Sequence, residues 1–361
     1  MKSRLKILAS LTVGALFVYW FAHKLNWGEV WIEVRKANLI LLGSAFSLIV
    51  GTYFVRVLRW RTLIGSMAEP SLTALFRATV MGFAALFAMG RAGEMIVRPA
   101  ALSVKERIHP SASYATVMIE RVFDMVMVIF LFAINLIFFE HVALNAEDSR
   151  LFGSIQSIGV ILLLVAAAGV YGLSVFRSRR DGALNYLDNK LKFLPGPLAR
   201  GLMSLLRHIS EGLSVLHEAK ELTITVSYTV LLWLMVATAH LLVVRAFGLD
   251  NLKVTFSGAV FVMGLSMLGS VVPTPGGATG PFHTATAAAL TFLGAVQTKE
   301  QAASIAITLH LIIFSPAILF GLIYIIKDSL SLGRLLGQGR SEADSFISPQ
   351  EQDQSEEPVA V

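Results

Sequence analysis

Apolar runs of span length, separated by short polar stretches, repeat along almost the whole chain. They are Ile7–Ala22, Leu39–Leu58, Leu72–Met89, Met95–Leu102, Ser113–Phe139, Phe152–Phe176, Leu222–Phe247, Val254–Val272, Phe282–Leu293 and Gln301–Ile326. About 20 apolar residues in helical form cross the hydrocarbon core of a bilayer. The pattern therefore predicts an all-α polytopic membrane protein. Two places interrupt it. Met89-Gly-Arg-Ala-Gly-Glu-Met95 puts charge between two apolar runs, and Val271–His283 carries Pro273, Pro275, Gly276, Gly277, Gly280 and Pro281. Proline and glycine at that density cannot continue a helix. Broken backbone at membrane depth survives only inside protein or beside a polar cavity, so both breaks are candidate substrate sites.

Charge along the chain orients the runs. Arg56, Arg59 and Arg61 follow the second run, Lys105 and Arg107 follow the first break, and the loop 177–220 holds eight Lys/Arg against four Asp/Glu. Lysine and arginine accumulate in cytoplasmic loops. The segments 141–150, 248–253 and 295–300 lack that bias and belong outside. This assignment is self-consistent when each broken pair enters and leaves on one side. Six full spans and two opposed re-entrant hairpins result, with both termini cytoplasmic at the inner (plasma) membrane. The units 39–139 and 222–326 then form an inverted repeat of the kind that places transporter sites near the midplane. The alternative is eight to ten full spans, for which Met95–Leu102 is short.

The basic start, Met1 to Lys6, precedes a run ending in Val18-Tyr-Trp-Phe21 with no A-x-A site, which reads as an uncleaved first span with an interfacial aromatic belt. Leucines and isoleucines recur at helical spacing from Leu198 to Leu216, predicting an amphipathic helix on the inner leaflet. The membrane domain then covers 1–327. Residues 328–361 form an acidic tail, and from Ser341 onward six Asp/Glu stand against no Lys/Arg. That composition predicts disorder.

Composition narrows the chemistry. Of 361 residues, 55% are hydrophobic, 15% are charged and none is cysteine, which excludes disulfide and thiolate chemistry. The net charge of +6 belongs to loops facing the cytoplasm, and nucleic acid is not an expected partner. Neither a P-loop, a zinc spacing nor a nucleophile elbow occurs, so no catalytic residue, metal or cofactor is expected. The candidate substrate-binding residues are charged or flexible groups in apolar surroundings. Arg59 ends the second run, with Arg56 a turn before it. Arg91, Glu94 and Arg98 sit at the first break, where Pro99 disfavours a helical Arg98. Glu120, Arg121 and Asp124 lie in the following run, as substrate contacts or as a structural ion network. Buried ionisable groups in a membrane face an interior or a cavity, and arginine suits phosphate. At the second break, Thr274, Gly276, Gly277 and His283 offer hydroxyls, backbone N–H groups and a titratable ring. His240 and His310 stand alone on spans and read as structural.

The series Arg56-x-x-Arg59-Trp60, Gly90-Arg-Ala-Gly-Glu94-x-x-x-Arg98, Glu120-Arg-Val-Phe-Asp124 and Pro273-x-Pro-Gly-Gly277 occurs in that order. It resembles the transmembrane domain of lysylphosphatidylglycerol synthases, a domain that also stands alone in flippase-like membrane proteins. The resemblance covers about residues 5 to 327. It implies transbilayer movement of an anionic lipid, phospholipid or polyprenyl-phosphate-linked, through a groove between the hairpins. The partners implied are the lipid head group, a second copy or an enzyme of lipid biosynthesis. Aminoacyl transfer, carried in the synthases by a separate soluble domain, is not expected here. The family pattern reaches an acidic residue after the double glycine, whereas this chain runs Gly276-Gly-Ala-Thr-Gly280-Pro-Phe-His283. That departure argues against a lysyl-lipid substrate. A lipid-modifying transferase and a non-transporting scaffold are the rival readings.

Overall fold

The computed structural model describes residues 15–65, 68–106, 110–138, 148–178, 219–248, 255–272 and 274–327, with single positions at 12, 108 and 203. Among the described residues it is all-helical. After a helical segment at 15–22 come α1 (Trp27–Lys36), α2 (Leu39–Ile64), α3 (Leu72–Met89), α4 (Arg91–Glu106), α5 (Pro110–Ile137), α6 (Asp148–Ser178), α7 (Ala219–Ala246), α8 (Phe256–Gly269), α9 (Pro281–Phe292) and α10 (Lys299–Lys327). Helix starts follow local chemistry. The Asn38 side chain accepts from the Ile40 and Leu41 N–H groups, Ser71 from Ala74, and Thr255 from Gly258. Each satisfies donors that a helix N-terminus leaves free.

Three helices, Leu39–Ile64, Ala219–Ala246 and the Lys299–Tyr324 part of α10, are long and apolar enough to cross a membrane. The arms α3, α4, α8 and α9 have 18, 16, 14 and 12 residues. At 1.5 Å per residue they measure roughly 27, 24, 21 and 18 Å, against a hydrocarbon core of about 30 Å.

These short arms fold as two helical hairpins. α3 and α4 turn at Gly90 (φ 71°), and their open end is closed by Ser71, whose N–H and hydroxyl donate to Glu106 Oε1 at 3.2 and 2.7 Å. In the second hairpin, Ser266 and Thr286 hydroxyls meet at 2.7 Å and the Phe261 and Phe292 rings stack. α2 and α7 run antiparallel: Asn38 N–H donates to Ala246 O at one end, and Arg59 reaches Thr229 toward the other. The proximal end of the bundle thus carries Ile64, Ser71, Glu106, Pro110 and Ala219. The distal end carries Leu39, Ile137, Ala246, Phe256, Phe292 and Lys299. The first hairpin opens proximally and the second distally. α10 runs antiparallel to α3, from Phe87 against Phe314 to Phe76 against Tyr324. At the distal end α1 leaves Trp27 and Trp31 exposed, with Arg35 stacked on Trp31 at 4.9 Å, as interfacial helices do.

The α3–α10 crossing depends on Gly321. A Cβ there would lie 2.4 Å from Ala84 Cβ and 2.7 Å from the Val80 carbonyl oxygen. Gly321→Leu is expected to cost about 1–3 kcal/mol through overpacking against backbone, read as a lowered thermal midpoint in detergent.

Several expectations are corrected. The run predicted as Leu39–Leu58 continues helically to Ile64, so Arg56 and Arg59 do not follow the helix but lie inside it, buried. The short segment Met95–Leu102 is part of the longer Arg91–Glu106, and the first break narrows to Gly90. Arg98 is helical despite Pro99; the proline removes one ladder bond, and buried ion pairs hold the helix around it. α1 has no counterpart among the predicted runs. The predicted inner-leaflet helix near 198–220, the tail beyond 327 and residues 1–11 lie outside the described residues.

Candidate functional site

The polar face of α4 and the charged turns of α2 and α5 converge on one buried cluster. Glu120 lies ten residues into α5, about 15 Å from its proximal start. Arg59 grips Asp124 with two parallel bonds, Nη1 to Oδ1 at 2.7 Å and Nη2 to Oδ2 at 3.2 Å. Nη1 also donates to Thr229 Oγ1 at 3.0 Å, and Nε lies 3.4 Å from Glu120 Oε1. Trp233 Nε1 donates to Asp124 Oδ1 at 3.2 Å. Such forked, charge-assisted bonds are the strongest of their kind.

Arg98 pairs with Glu120 Oε2 and lies 3.9 Å from Glu94 Oε1 on its own helix. Its guanidinium stacks on the Trp60 ring, 3.9 Å from the centroid, and Trp60 Nε1 donates to Thr116 Oγ1 at 2.9 Å. Gly82 makes room: a Cβ there would lie 2.9 Å from Arg98 Cβ. Arg121 bridges Glu94 Oε1 at 3.3 Å and Asp124 Oδ2 at 3.2 Å, and Arg56 Nη1 lies 3.5 Å from the same Oδ2. The Phe83 ring on α3 faces both Arg56 (4.8 Å) and Arg121 (5.7 Å). Isolated charges at this depth cost several kcal/mol each, which only close pairing offsets.

The second centre is the turn between α8 and α9. Gly276 and Gly277 are left-handed (φ 73° and 66°), Ala278 shares that conformation (φ 63°), and Gly280 has φ 94°. Glycine adopts these angles without the Cβ clash other residues meet. Side chains hold the turn through its carbonyls. His310 Nε2 donates to Gly277 O at 3.1 Å, Thr279 Oγ1 donates to Gly276 O, and Thr274 Oγ1 donates to Thr279 O at 3.3 Å. His283 Nδ1 accepts the Gly280 N–H at 3.1 Å, which assigns its proton to Nε2. The two imidazoles lie 4.6 Å apart among Phe21, Phe87, Phe282 and Phe314. The segment at 15–22 covers Gly280: a Cβ there would lie 2.7 Å from Phe17 Cβ.

α3 joins the centres. Phe83 faces the cluster, and Phe87, one turn on, lies against His310 and Phe314 near Gly276. The tip of the first hairpin therefore meets the broken turn of the second.

The family model of the lysylphosphatidylglycerol synthase TM region matches residues 7–321. The chain belongs to this family. Neither a curated protein nor a solved structure matches it. Membership places the protein among membrane proteins related to lipid handling.

Within this family member, the structure brings together seven residues singled out from the sequence: Arg56, Arg59, Glu94, Arg98, Glu120, Arg121 and Asp124. It sets Thr274, Gly276, Gly277 and His283 in the separate turn. Arg91 opens α4, and its side chain lies outside the described residues. Sequence reasoning missed Thr229, Trp233 and Phe83, named Trp60 only within the series Arg56-x-x-Arg59-Trp60, and left His310 as a lone structural group. Thr225, Thr229 and Trp233 recur every fourth residue on an apolar helix, a stripe that would have pointed inward. Phe83 carries no such signal, because a buried aromatic in an apolar run is the ordinary case. No group of three or more His, Cys, Asp or Glu suited to a metal ion occurs among the described residues.

Proposed function

We propose that this protein moves an anionic phospholipid or polyprenyl-phosphate lipid between bilayer leaflets. The head group travels along the polar faces of the two hairpins while the acyl chains stay in lipid. The two hairpins are re-entrant, one from each side, and the proximal end faces the cytoplasm of the inner membrane with both termini. A second copy or a lipid-synthesising enzyme is the expected partner, and no chemical conversion of the lipid is part of the proposal.

One observation carries this reading. A hairpin arm too short to span delivers Glu94 and Arg98 to Glu120, Arg121 and Asp124 on α5, about 15 Å inside the bundle. Intramembrane ionisable groups mark substrate pathways. Apposed discontinuous helices from two oppositely directed units are the arrangement in which transporters hold substrate.

The test is reconstitution in vesicles carrying a fluorescent phospholipid, with dithionite quenching of the outer leaflet as the readout. Wild type is expected to expose the inner-leaflet probe. Glu94→Gln, which removes one charge where hairpin and α5 meet, is expected to slow exposure about tenfold or more. Quenching no faster than in empty vesicles, beside an active scramblase control, overturns the proposal. Equal rates for wild type and Glu94→Gln would leave the cluster a structural rivet.

A further inference from the structure

We infer that Arg56 and Arg121, which share the Phe83 ring, are the pair that receives the head-group phosphate, and that Arg59, Arg98 and Glu120 form a closed frame that aims them. This rests on the lipid-translocation reading and divides the labour within its site.

The frame is sealed. The side chains of Arg59, Arg98 and Glu120 are 0% exposed. Arg59 is committed to Asp124 and Thr229, and Arg98 to Glu120 with its flat face covered by Trp60. With no exposed surface, neither guanidinium is open to an incoming oxyanion.

The receiving pair is the more open one. The Arg121 side chain is 20% exposed and Arg56 10%, the two most accessible guanidiniums of the cluster. Both converge on the single oxygen Asp124 Oδ2, at 3.2 and 3.5 Å. Arg56 Nη1, Arg121 Nε and Arg121 Nη2 are buried and make no hydrogen bond; Arg59 Nε and Arg98 Nε and Nη2 share that state, but on side chains with no exposed surface. Buried donors without acceptors are costly, and a ligand that supplies acceptors removes that cost. Phe83 lies against both guanidiniums, 4.8 and 5.7 Å from its ring centroid, and its ring face attracts the cations.

Charge points to the same chemistry. Among the described side chains, four guanidiniums (Arg56, Arg59, Arg98, Arg121) meet three carboxylates (Glu94, Glu120, Asp124), a formal excess of one positive charge. A phosphodiester brings one negative charge and several acceptor oxygens. Set between Arg56 and Arg121 it takes up the free donors, and guanidinium forks match phosphate oxygens. A zwitterionic head group carries its own cation into the site and gains less.

The experiment uses the full chain, purified in detergent, stripped of lipid and titrated by native mass spectrometry. The probes are dioleoyl phosphatidylglycerol, dioleoyl phosphatidylcholine and dioleoylglycerol. Wild type is expected to bind the glycerol-headgroup phospholipid about tenfold tighter than the choline one, and dioleoylglycerol more weakly than either. Arg56→Gln and Arg121→Gln are each expected to weaken phosphatidylglycerol binding about tenfold and to reduce the preference over phosphatidylcholine. Arg56→Lys and Arg121→Lys keep the charge without the fork. They are expected to bind with intermediate affinity, and they decide the matter should a glutamine variant not fold. Wild-type affinity in all folded variants, or equal binding of the three probes, overturns the assignment even if the vesicle assay shows transport. Loss of binding in the variants, with no transport by wild type, upholds the pair and overturns translocation instead.

Discussion

Arg98→Ala is expected to lower stability by about 3–5 kcal/mol, the cost of stranding a buried charge. Glu120 loses its Oε2 partner and Glu94 a neighbour, while Trp60 loses the cation stacked on its face. The side chain is fully buried and packs directly against Gly82. The thermal midpoint in detergent should fall by roughly 10 °C. Arg98→Lys keeps a charge but loses the planar stack, and should fall by less. Pairing Arg98→Met with Glu120→Leu removes both charges and should recover part of the loss, because replacing a whole buried pair costs far less than halving it. An unchanged midpoint for Arg98→Ala would show that the ion cluster does not hold the hairpin to α5.

Gly277→Val is the second large effect. With φ at 66° the new residue would sit in the left-handed region, and its Cβ would lie 2.8 Å from the Phe314 ring. The conformation costs about 1–2 kcal/mol, more for a β-branched side chain. Overpacking against the ring adds about 1–3 kcal/mol. The bond from His310 to Gly277 O would be lost with the turn. Folded yield and vesicle transport are both expected to drop, and Gly277→Ala should do less harm. Gly43→Ala is the matched control, since nothing lies within 4 Å of a Cβ there. Its stability should stay the same or rise by up to about 1 kcal/mol, as alanine favours the helix. Equal behaviour of the two positions would mean that the turn is not strained.

Length and apolarity were legible because they act locally. A run such as Leu39–Ile64 is helical whatever surrounds it, since in lipid its backbone can bond only to itself. The places where helices stop were legible for the same reason: Gly90 and the Gly276–Gly277 pair take backbone angles that other residues resist. The ordered charges marked α4 and α5 as sharing a polar centre, because ions at membrane depth must find one another. Helix ends were less legible where pairing reached across the bundle. Arg56 and Arg59 looked like the end of a span until Asp124 and Glu120 neutralised them. Pro99 looked like a stop until the cluster held both sides of it.

By itself, then, the sequence determined an all-helical membrane chain, its family, its two breaks and the seven charged residues of its ionic cluster. These follow from the hydrophobicity and backbone freedom of consecutive residues. Only the tertiary structure decided which arginine meets which acid, that Trp60 and Phe83 serve the cluster, that His310 holds the broken turn, and that the hairpin tips meet along α3. Those contacts join residues far apart in the chain, such as Arg59 with Asp124 and Thr229. They are set by the packing of helices against one another, which no local pattern encodes.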